Sequence, residues 1–414
     1  MKKTLLLSAF LFVVLAACDK IGVDNLDAGS SRETLPLTRA QIAYIQESNN
    51  AFALNLFKEV AQDESIVVSP LSVTFALGMA DNGATGTTKA QIEKALGYED
   101  SSLKGLNELS NTLIERSKGL DSSTILHFAN AVVANNGKND ARILDSFIDV
   151  VEHNYHATVC SMDFEKDDVK GYVNDWCKKH TNGGIRELLS SPPASISSVL
   201  LLNGVYFKGL WSNSFSEGEI KTEDFFISPI NKTKVQMMHQ LDKMSFGEVR
   251  NSFSVVSLPF GNGAYRMLFV LPEKDKTLSN LKTALDIKLW NAINKSLNNV
   301  TVDLKIPAFV TNTDIQLKSP LQKLGITNAF NPVLSEFGLM SEKVVWIEDA
   351  RQKARIVVSE KGAEAFAVTS FEMPAATANM KAPEKLFHAD RPFLYAITEA
   401  SSGAIFFIGQ FMGN

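Results

Sequence analysis

The chain has 414 residues, of which 45% are hydrophobic and 21% are charged, and its formal net charge is -5. This is the composition of an ordinary globular protein with a large buried core. Lys and Arg are scattered without a basic stripe, which argues against nucleic acid as a partner because a phosphate backbone requires clustered positive charge. No linker rich in Pro, Gly or Ser divides the chain after residue 40, so we predict one large domain over residues 41–414.

The N-terminus reads as an export signal. Lys2 and Lys3 precede an apolar run over residues 5–17 that is too short to span a bilayer stably. The run ends in the sequence LAAC, which resembles the lipobox of bacterial lipoproteins and implies removal of residues 1–17 and lipidation of Cys18. An ordinary signal peptide that happens to contain Cys is the alternative. We therefore expect an exported protein anchored by lipid in the cell envelope or on the cell surface, with residues 18–40 as a flexible tether.

Two further cysteines, Cys160 and Cys177, remain after Cys18. Cys177 falls in a stretch with helical character, and nothing in the sequence brings Cys160 near it. We predict two unpaired, structural thiols.

The front of the chain has helical periodicity. Phe52, Leu56 and Val60 recur at a spacing of four, which predicts an amphipathic helix that starts near Gln41. In the next helix, Thr88 and Gln91 have the spacing of a capping box, and the glycine at 97 is expected to end the helix.

Later segments change to strand periodicity. Residues 301–306 alternate strictly between apolar and polar side chains, as a half-buried strand does. Continuous apolar runs at 253–258, 267–271 and 405–408 are typical of strands buried on both faces. Helices followed by such strands predict an α+β fold.

Several ordered motifs then resemble the serpin family over about residues 45–414. They are SPLSVTFALGMADNGATGTT at 69–88, VNDWCKKHTNGGIRELL at 173–189, NGVYFKGLWSNSF at 203–215, VQMMHQ at 235–240, LKIPAF at 304–309, LQKLGITNAF at 321–330 and FHADRPF at 387–393. The resemblance implies helices around a large central mixed β-sheet, smaller sheets and an exposed reactive loop.

The resemblance also implies a polar cluster beneath the point where the central sheet opens. Its members match Ser69, Ser72, Asn203 and Gln352 in this chain. The family often has histidine at the last position, so Gln352 implies a cluster without a group that titrates near neutral pH.

Residues 359–377, SEKGAEAFAVTSFEMPAAT, resemble the serpin hinge and reactive loop. The hinge positions match Glu360, Gly362, Ala363, Glu364, Ala365 and Ala367. Independently of the resemblance, about twenty-five residues here have no obvious place in the fold, and a loop of that length in a compact domain is usually functional.

A two-residue period divides this loop into two faces. Ala363, Ala365 and Ala367 share one face. The two carboxylates of the loop, Glu364 and Glu372, share the opposite face. The small side chains would allow the loop to enter a sheet as a new strand. Pro374 marks where such insertion can stop, because proline cannot donate to a ladder. Phe366 departs from the small residue usual in inhibitory members; it lies on the outward face, where we expect it to slow insertion at most slightly.

The resemblance implies a single-use inhibitor. A protease cleaves the loop, becomes attached as an acyl-enzyme, and is trapped when the freed strand inserts into the central sheet. The family's spacing from Glu360 places the scissile bond at Ala376-Thr377, with neighbouring bonds within 375–378 left open. Alanine at this position favours serine proteases of the elastase or subtilisin type, and cysteine proteases are open as secondary targets.

An enzyme is the less favoured interpretation. The sequence contains no G-x-S-x-G elbow, no HExxH motif and no Cys/His spacing for a metal, so we predict no catalytic residues, no metal and no cofactor. The stronger alternative is a non-inhibitory serpin that binds a ligand or serves only as a protease substrate. In either case we expect a monomer.

Overall fold

The fold was obtained as a computed structural model. It describes residues 33–98, 103–138, 140–249, 252–363 and 382–413. The predicted signal peptide, Cys18 and most of the tether lie outside these ranges, as do residues 364–381 of the loop.

The helices of the described ranges lie mainly in the front half of the chain. They are α1 Arg39–Tyr44, α2 Asn50–Val60, α3 Pro70–Gly83, α4 Gly86–Leu96, α5 Leu103–Arg116, α6 Asp145–Tyr155, α7 Val169–His180, α8 Leu278–Ala284, α9 Ile287–Ser296 and α10 Lys318–Lys323. A π-helical turn, Ile45–Asn49, joins α1 to α2. Within the part of the chain that the structure describes, no helix is long and apolar enough to cross a membrane.

The strands dominate the second half. They are β1 Ile66–Val68, β2 Thr124–Asn135, β3 Ala157–Met162, β4 Val199–Leu210, β5 Lys221–Ser228, β6 Asn231–Val249, β7 Phe253–Phe260, β8 Tyr265–Pro272, β9 Asn298–Gln316, β10 Ile347–Val358, β11 Gly362–Ala363, β12 Lys385–His388, β13 Phe393–Glu399 and β14 Ile405–Phe411. The α+β prediction is confirmed.

The fourteen strands of the described ranges belong to one hydrogen-bonded sheet. Twelve follow the order β1-β14-β13-β8-β7-β6-β9-β10-β11-β4-β2-β3, while β12 pairs with β9 and β5 pairs with β6 off this path. β9 connects the two halves of this sheet, because its first part pairs with β6 and its last part, residues 309–316, pairs with β10. The predicted strand at 301–306 is therefore only the middle of a 19-residue strand.

Helix α3 lies beneath the sheet and is buried along almost its whole length. Pro70 lies in the first turn of α3, where a backbone N–H has no partner within the helix. The missing N–H of proline therefore costs no hydrogen bond there. Both faces of the strands above α3 are also covered: α7 packs on the opposite side through Trp176 and Cys177, against Leu200 and Leu202 of β4. Each such fully buried apolar side chain contributes about 1.5–3 kcal/mol.

One local prediction is wrong. Thr88 lies inside α4, which starts at Gly86, and forms no capping box with Gln91. The carboxylate of Glu336 accepts hydrogen bonds from the backbone N–H groups of Thr87 (2.6 Å) and Thr88 (3.1 Å) instead. Gly97 ends the helix in a left-handed conformation, as predicted.

Candidate functional site

The candidate site is the boundary between the parallel strands β4 and β10, which we call the seam. Both strands run from a basal end, at Val199 and Ile347, to a hinge end, at Leu210 and Val358. Residues 199–204 pair with residues 347–353. The lower half of the seam is therefore closed by a direct strand ladder.

At the hinge end the seam is already occupied. Gly362 and Ala363 form β11, which pairs with Leu210 and Gly209 of β4 on one side and with Val358 of β10 on the other. Between these two zones, the ladder partners of residues 205–208 lie in β2, and those of residues 354–357 lie in β9. Within the described residues, the two strands thus separate above residue 204 and receive the start of the loop.

The turn that leads into β11 is fixed by hydrogen bonds. The N–H of Ser359 donates to the Gly362 carbonyl (2.9 Å), and the N–H of Gly362 donates back to the Ser359 carbonyl (3.3 Å). Trp211 Nε1 also donates to the Ser359 carbonyl (2.9 Å). The chain between them is therefore a tight hairpin turn anchored to the end of β4.

Two hinge residues are constrained by space. A Cβ atom on Gly362 would collide with the carbonyl oxygen of Gly209, so only glycine fits this close approach. Ala363 is 1% exposed and packs into the main core, as its predicted inward face requires. Glu360 lies in the turn, where its carbonyl accepts the Phe215 N–H (2.9 Å). The other hinge positions, Glu364, Ala365 and Ala367, lie outside the described residues, as do Ala376 and Thr377 at the predicted scissile bond.

Gln352 holds the closed half of the seam to the N-terminus of α3. Its Oε1 accepts the Ser69 N–H (2.8 Å), and its Nε2 donates to the Ser69 carbonyl (2.9 Å) and to Ser72 Oγ (2.7 Å). The Ser72 hydroxyl donates in turn to the Ser69 carbonyl (3.0 Å). All three residues are completely buried, so these hydrogen bonds form without competition from water.

Asn203 lies beside Gln352 across the seam, because the two residues are paired in the ladder. Its Nδ2 donates to Oδ1 of Asn130 on β2 (2.7 Å), whose Nδ2 donates to the Tyr155 carbonyl (2.8 Å). The four predicted residues and Asn130 thus form one buried polar row beneath the seam. Among the described residues, no donor reaches Oδ1 of Asn203 and no partner reaches Oγ of Ser69.

Asn130 was missed by the sequence analysis. It lies in the apolar run FANAVVAN, where a lone amide in a buried strand is the available signal. Nothing local in the sequence indicates which strand its partner occupies.

Cys160 and Cys177 are free thiols, as predicted. Burial raises the pKa of Cys177, on the buried face of α7, to about 12, which keeps it an unreactive thiol. Across the ranges that the structure describes, no group of three His, Cys, Asp or Glu side chains is arranged to hold a metal ion. Cys18 lies outside those ranges.

Comparison with known proteins gives a consistent result. Residues 47–413 match the family described as Serpin (serine protease inhibitor). The leukocyte elastase inhibitor of Homo sapiens is 29% identical over 381 residues, which cover 89% of this chain and 98% of that protein.

Two solved structures show what the shared fold supports. The native state of the thermophilic serpin tengpin has a TM-score of 0.81 at 26% identity and covers 94% of this chain and 97% of its own. The complex of thyroxine-binding globulin with thyroxine has a TM-score of 0.79 at 26% identity, with coverage of 89% and 98%. The fold is thus shared with a protein whose complex holds a small ligand.

Proposed function

This chain belongs to the serpin family, and we propose that it inhibits serine proteases of the elastase or subtilisin type by inserting its own cleaved loop into the seam. The family carries the description Serpin (serine protease inhibitor). The observation that carries the proposal is β11, because the first two residues of the loop already pair with both strands that would receive the rest.

The register of β11 determines where each later loop residue would pair. Each step forward in the loop is one step back along β4 from Gly209 and along β10 from Val358. The residues of β4 and β10 that a given loop residue would meet are in the same register with each other as Asn203 and Gln352, which are already paired. Insertion therefore requires the strands to separate sideways without sliding along each other.

This register gives the inward face of the loop suitable neighbours. Ala365 would lie between Phe207 and Ile356, and Ala367 between Val205 and Ala354, all four of which are buried in the main core. Alanine fits such a slot, whereas a large or charged side chain would not.

Thr369 would lie between Asn203 and Gln352. Its hydroxyl could donate to Oδ1 of Asn203, which has no donor among the described residues. Insertion would thus place the Thr369 hydroxyl in the polar row, and Ala365 and Ala367 against apolar side chains. The paired part of the loop would end opposite Val199, the first residue of β4, one residue before Pro374.

The predicted specificity rests on Ala376. A small residue at the cleaved bond fits the small primary pockets of elastase-like and subtilisin-like proteases better than trypsin-like pockets, which require Lys or Arg. The likeness to a leukocyte elastase inhibitor supports the same class of target. Cysteine proteases are secondary targets in this proposal, and the inhibitor acts as a monomer.

Incubation with a pancreatic-type elastase, followed by a denaturing gel, tests the proposal. We expect a band at the summed mass of inhibitor and protease that survives denaturant, because an ester joins the protease serine to the loop. If only cleaved chain appears, the protein is a substrate or a ligand-binding serpin and the inhibitory function is refuted. Mass spectrometry of the released peptide identifies the cleaved bond within residues 375–378.

We also propose export and lipid anchoring through Cys18. In this proposal residues 18–32 form the tether, because Leu35 is already buried in the core and helix α1 begins at Arg39. Metabolic labelling with a radioactive fatty acid should label the wild type and not the Cys18→Ser variant. Equal labelling of both proteins would contradict the anchor.

A further inference from the structure

An apolar tip projects from the hairpin between β5 and β6. The two strands pair as far as Ser228 and Asn231, so Pro229 and Ile230 form the turn. Ile230 is 98% exposed, and Phe226, close to the turn on β5, is 43% exposed. Adjacent apolar side chains that the fold leaves in water generally mark an interaction surface. We call Phe226, Pro229 and Ile230 the hairpin tip.

The body of the protein holds this hairpin in place. Phe225, on the opposite face of β5, is completely buried, and its ring packs edge-on against Phe411 with the ring centroids 5.1 Å apart. The Phe226 N–H donates to the Asp390 carbonyl (2.7 Å). The hairpin tip is therefore presented in a fixed geometry, and a partner would not have to order it on binding.

Positive charge lies directly behind the hairpin tip. Lys232 pairs with Phe226 in the ladder, and Lys234 pairs with Asp224. Both lysine side chains are more than half exposed, and the ammonium group of each is 2.7 Å from the Asp224 carboxylate. The two lysines hold the pKa of that carboxyl below its ordinary value, so it remains ionised and the three charges sum to +1. The hairpin is thus apolar at its end and positively charged behind it.

The spacing of these groups matches the depth profile of a lipid interface. Residues in a strand rise by about 3.3 Å each, which places Lys232 about 7 Å and Lys234 about 13 Å behind Ile230. Segments that lie in an interface bury their apolar residues about 5–10 Å into the boundary between headgroups and acyl chains. Ile230 would then reach the acyl chains while the two ammonium groups stay at the level of the lipid phosphates.

We propose that the hairpin tip docks on an anionic lipid bilayer, with Lys232 and Lys234 at the lipid phosphates. Lysine is depleted in protein–protein interfaces, whereas lysines behind an apolar tip complement anionic headgroups, so the charges favour a bilayer over a protein partner. This surface goes beyond the proposed inhibitory function and does not require a lipid on Cys18. Docking would also bring Asp390, two residues after β12, to the membrane side of the molecule, because its carbonyl is bonded to Phe226.

Flotation with lipid vesicles tests the docking. The starting protein is the chain from residue 18 with Cys18→Ser, so that neither the signal segment nor an acyl chain contributes to binding. Vesicles of phosphatidylcholine alone are compared with vesicles that also contain about 30% phosphatidylglycerol, an anionic lipid. We expect the protein to float with the anionic vesicles, to bind the neutral vesicles far more weakly, and to be released at high ionic strength, because salt screens the lysines.

Matched variants locate the contact. Ile230→Asp should weaken binding about tenfold, because it removes the apolar anchor and adds a negative charge. Lys232→Gln and Lys234→Gln should each weaken binding to the anionic vesicles about fivefold. The control for the first variant is Val333→Asp, at a side chain that is 85% exposed between α10 and β10, and the control for the lysines is Lys221→Gln, at the other end of β5. Both controls should bind as the starting protein does, and equal midpoints of denaturant unfolding show that all the variants fold.

Several outcomes would overturn the inference. If the starting protein does not float with the anionic vesicles, or if Ile230→Asp floats equally well, the hairpin tip does not dock on lipid. Unchanged flotation of Ile230→Asp together with slower formation of the elastase complex would assign the tip to the protease. Unchanged flotation together with loss of a dimer in sedimentation would assign it to a second copy. Vesicle binding needs no protease, so the result is independent of the proposed inhibitory function.

Discussion

The two halves of the seam differ in how far they are prepared for a new strand. At the hinge end, β11 separates β4 from β10, and the partly buried turn before it can release the loop without breaking a ladder between those two strands. At the basal end, residues 199–204 and 347–353 are paired directly, and Gln352 adds three buried hydrogen bonds to α3. The barrier to insertion is therefore concentrated in the lower half.

This difference separates two properties that the proposed inhibitory function requires. The hinge end must accept a strand quickly once the loop is cut, and the basal end must prevent insertion before that. Small inward residues serve the first property, and a satisfied polar row serves the second. Changes at the two ends should therefore have opposite effects on loop insertion: a charge at the hinge end should prevent it, and loss of the polar row should allow it too early.

The largest expected effect is at the hinge end. Ala363→Arg would place a charge at a position that is 1% exposed, at a cost of roughly 3–5 kcal/mol. We expect β11 to leave the seam and the cleaved loop to fail to insert, so that the denaturing gel shows only cleaved chain. Glu364→Arg, one residue later on the opposite face, is the matched control and should retain the complex. Loss of the complex in both variants would contradict the two-faced strand.

Much of this architecture could be predicted from the sequence, and the limits have physical causes. The apolar runs that became β7, β8 and β14 were found because burial on both faces leaves a continuous local signal. The capping box at Thr88 was wrong because Glu336, 248 positions later, caps the helix instead. A local pattern cannot show that a distant carboxylate supplies the cap.

The site shows the same division. Ser69, Ser72, Asn203 and Gln352 were found by resemblance, and the structure brings them into one row, but the resemblance did not indicate Asn130. Neither did it indicate that β11 is already paired on both sides. Strand register depends on contacts between segments far apart in the chain, and it is absent from any single segment.

The next largest effect is at the basal end. Gln352→Ala would leave the Ser69 N–H, the Ser69 carbonyl and the Ser72 hydroxyl without their buried partner. We expect the free energy of unfolding to fall by about 2–4 kcal/mol. Inhibitory activity should also decay faster during storage at 37 °C, because the uncut loop can then enter the seam. Denaturant unfolding and residual complex formation over several days measure the two effects.

The control for Gln352→Ala is Gln410→Ala, which also removes a fully buried side-chain amide. Gln410 lies away from the seam, and its Nε2 donates to the carbonyls of Gln62 and Glu64. It should lower stability without selectively shortening the active lifetime. If the Gln352→Ala and Gln410→Ala variants have the same free energy of unfolding and lose inhibitory activity at the same rate, the polar row has no particular role in keeping the seam closed.

A smaller effect concerns pH. Gln352→His would place an imidazole where burial disfavours its charged form, so its folded-state pKa should lie below the ordinary value of about 6.5. The unfolded chain then binds the additional proton. Stability should be constant above about pH 7 and fall at lower pH by at most about 1.4 kcal/mol per pH unit. The free energy of unfolding of the wild type, which has no titrating group at this position, is measured over the same pH range and subtracted. If the two proteins show the same pH dependence, the prediction is wrong.

The smallest effect tests the outward face of the inserted strand. The register of β11 would place Phe366 between Tyr206 and Arg355, which are both partly buried, and Nε of Arg355 has no hydrogen-bond partner among the described residues. An aromatic ring beside a guanidinium contributes about 0.5–1 kcal/mol at such a site. Phe366→Ala should therefore lower the stability of the elastase-cleaved form by about that amount and leave the intact form unchanged. Phe226→Ala, at a ring that is 43% exposed on β5, is the matched control and should affect both forms equally. If Phe366→Ala instead stabilises the cleaved form, the ring obstructs the seam and the register derived from β11 is wrong at this position.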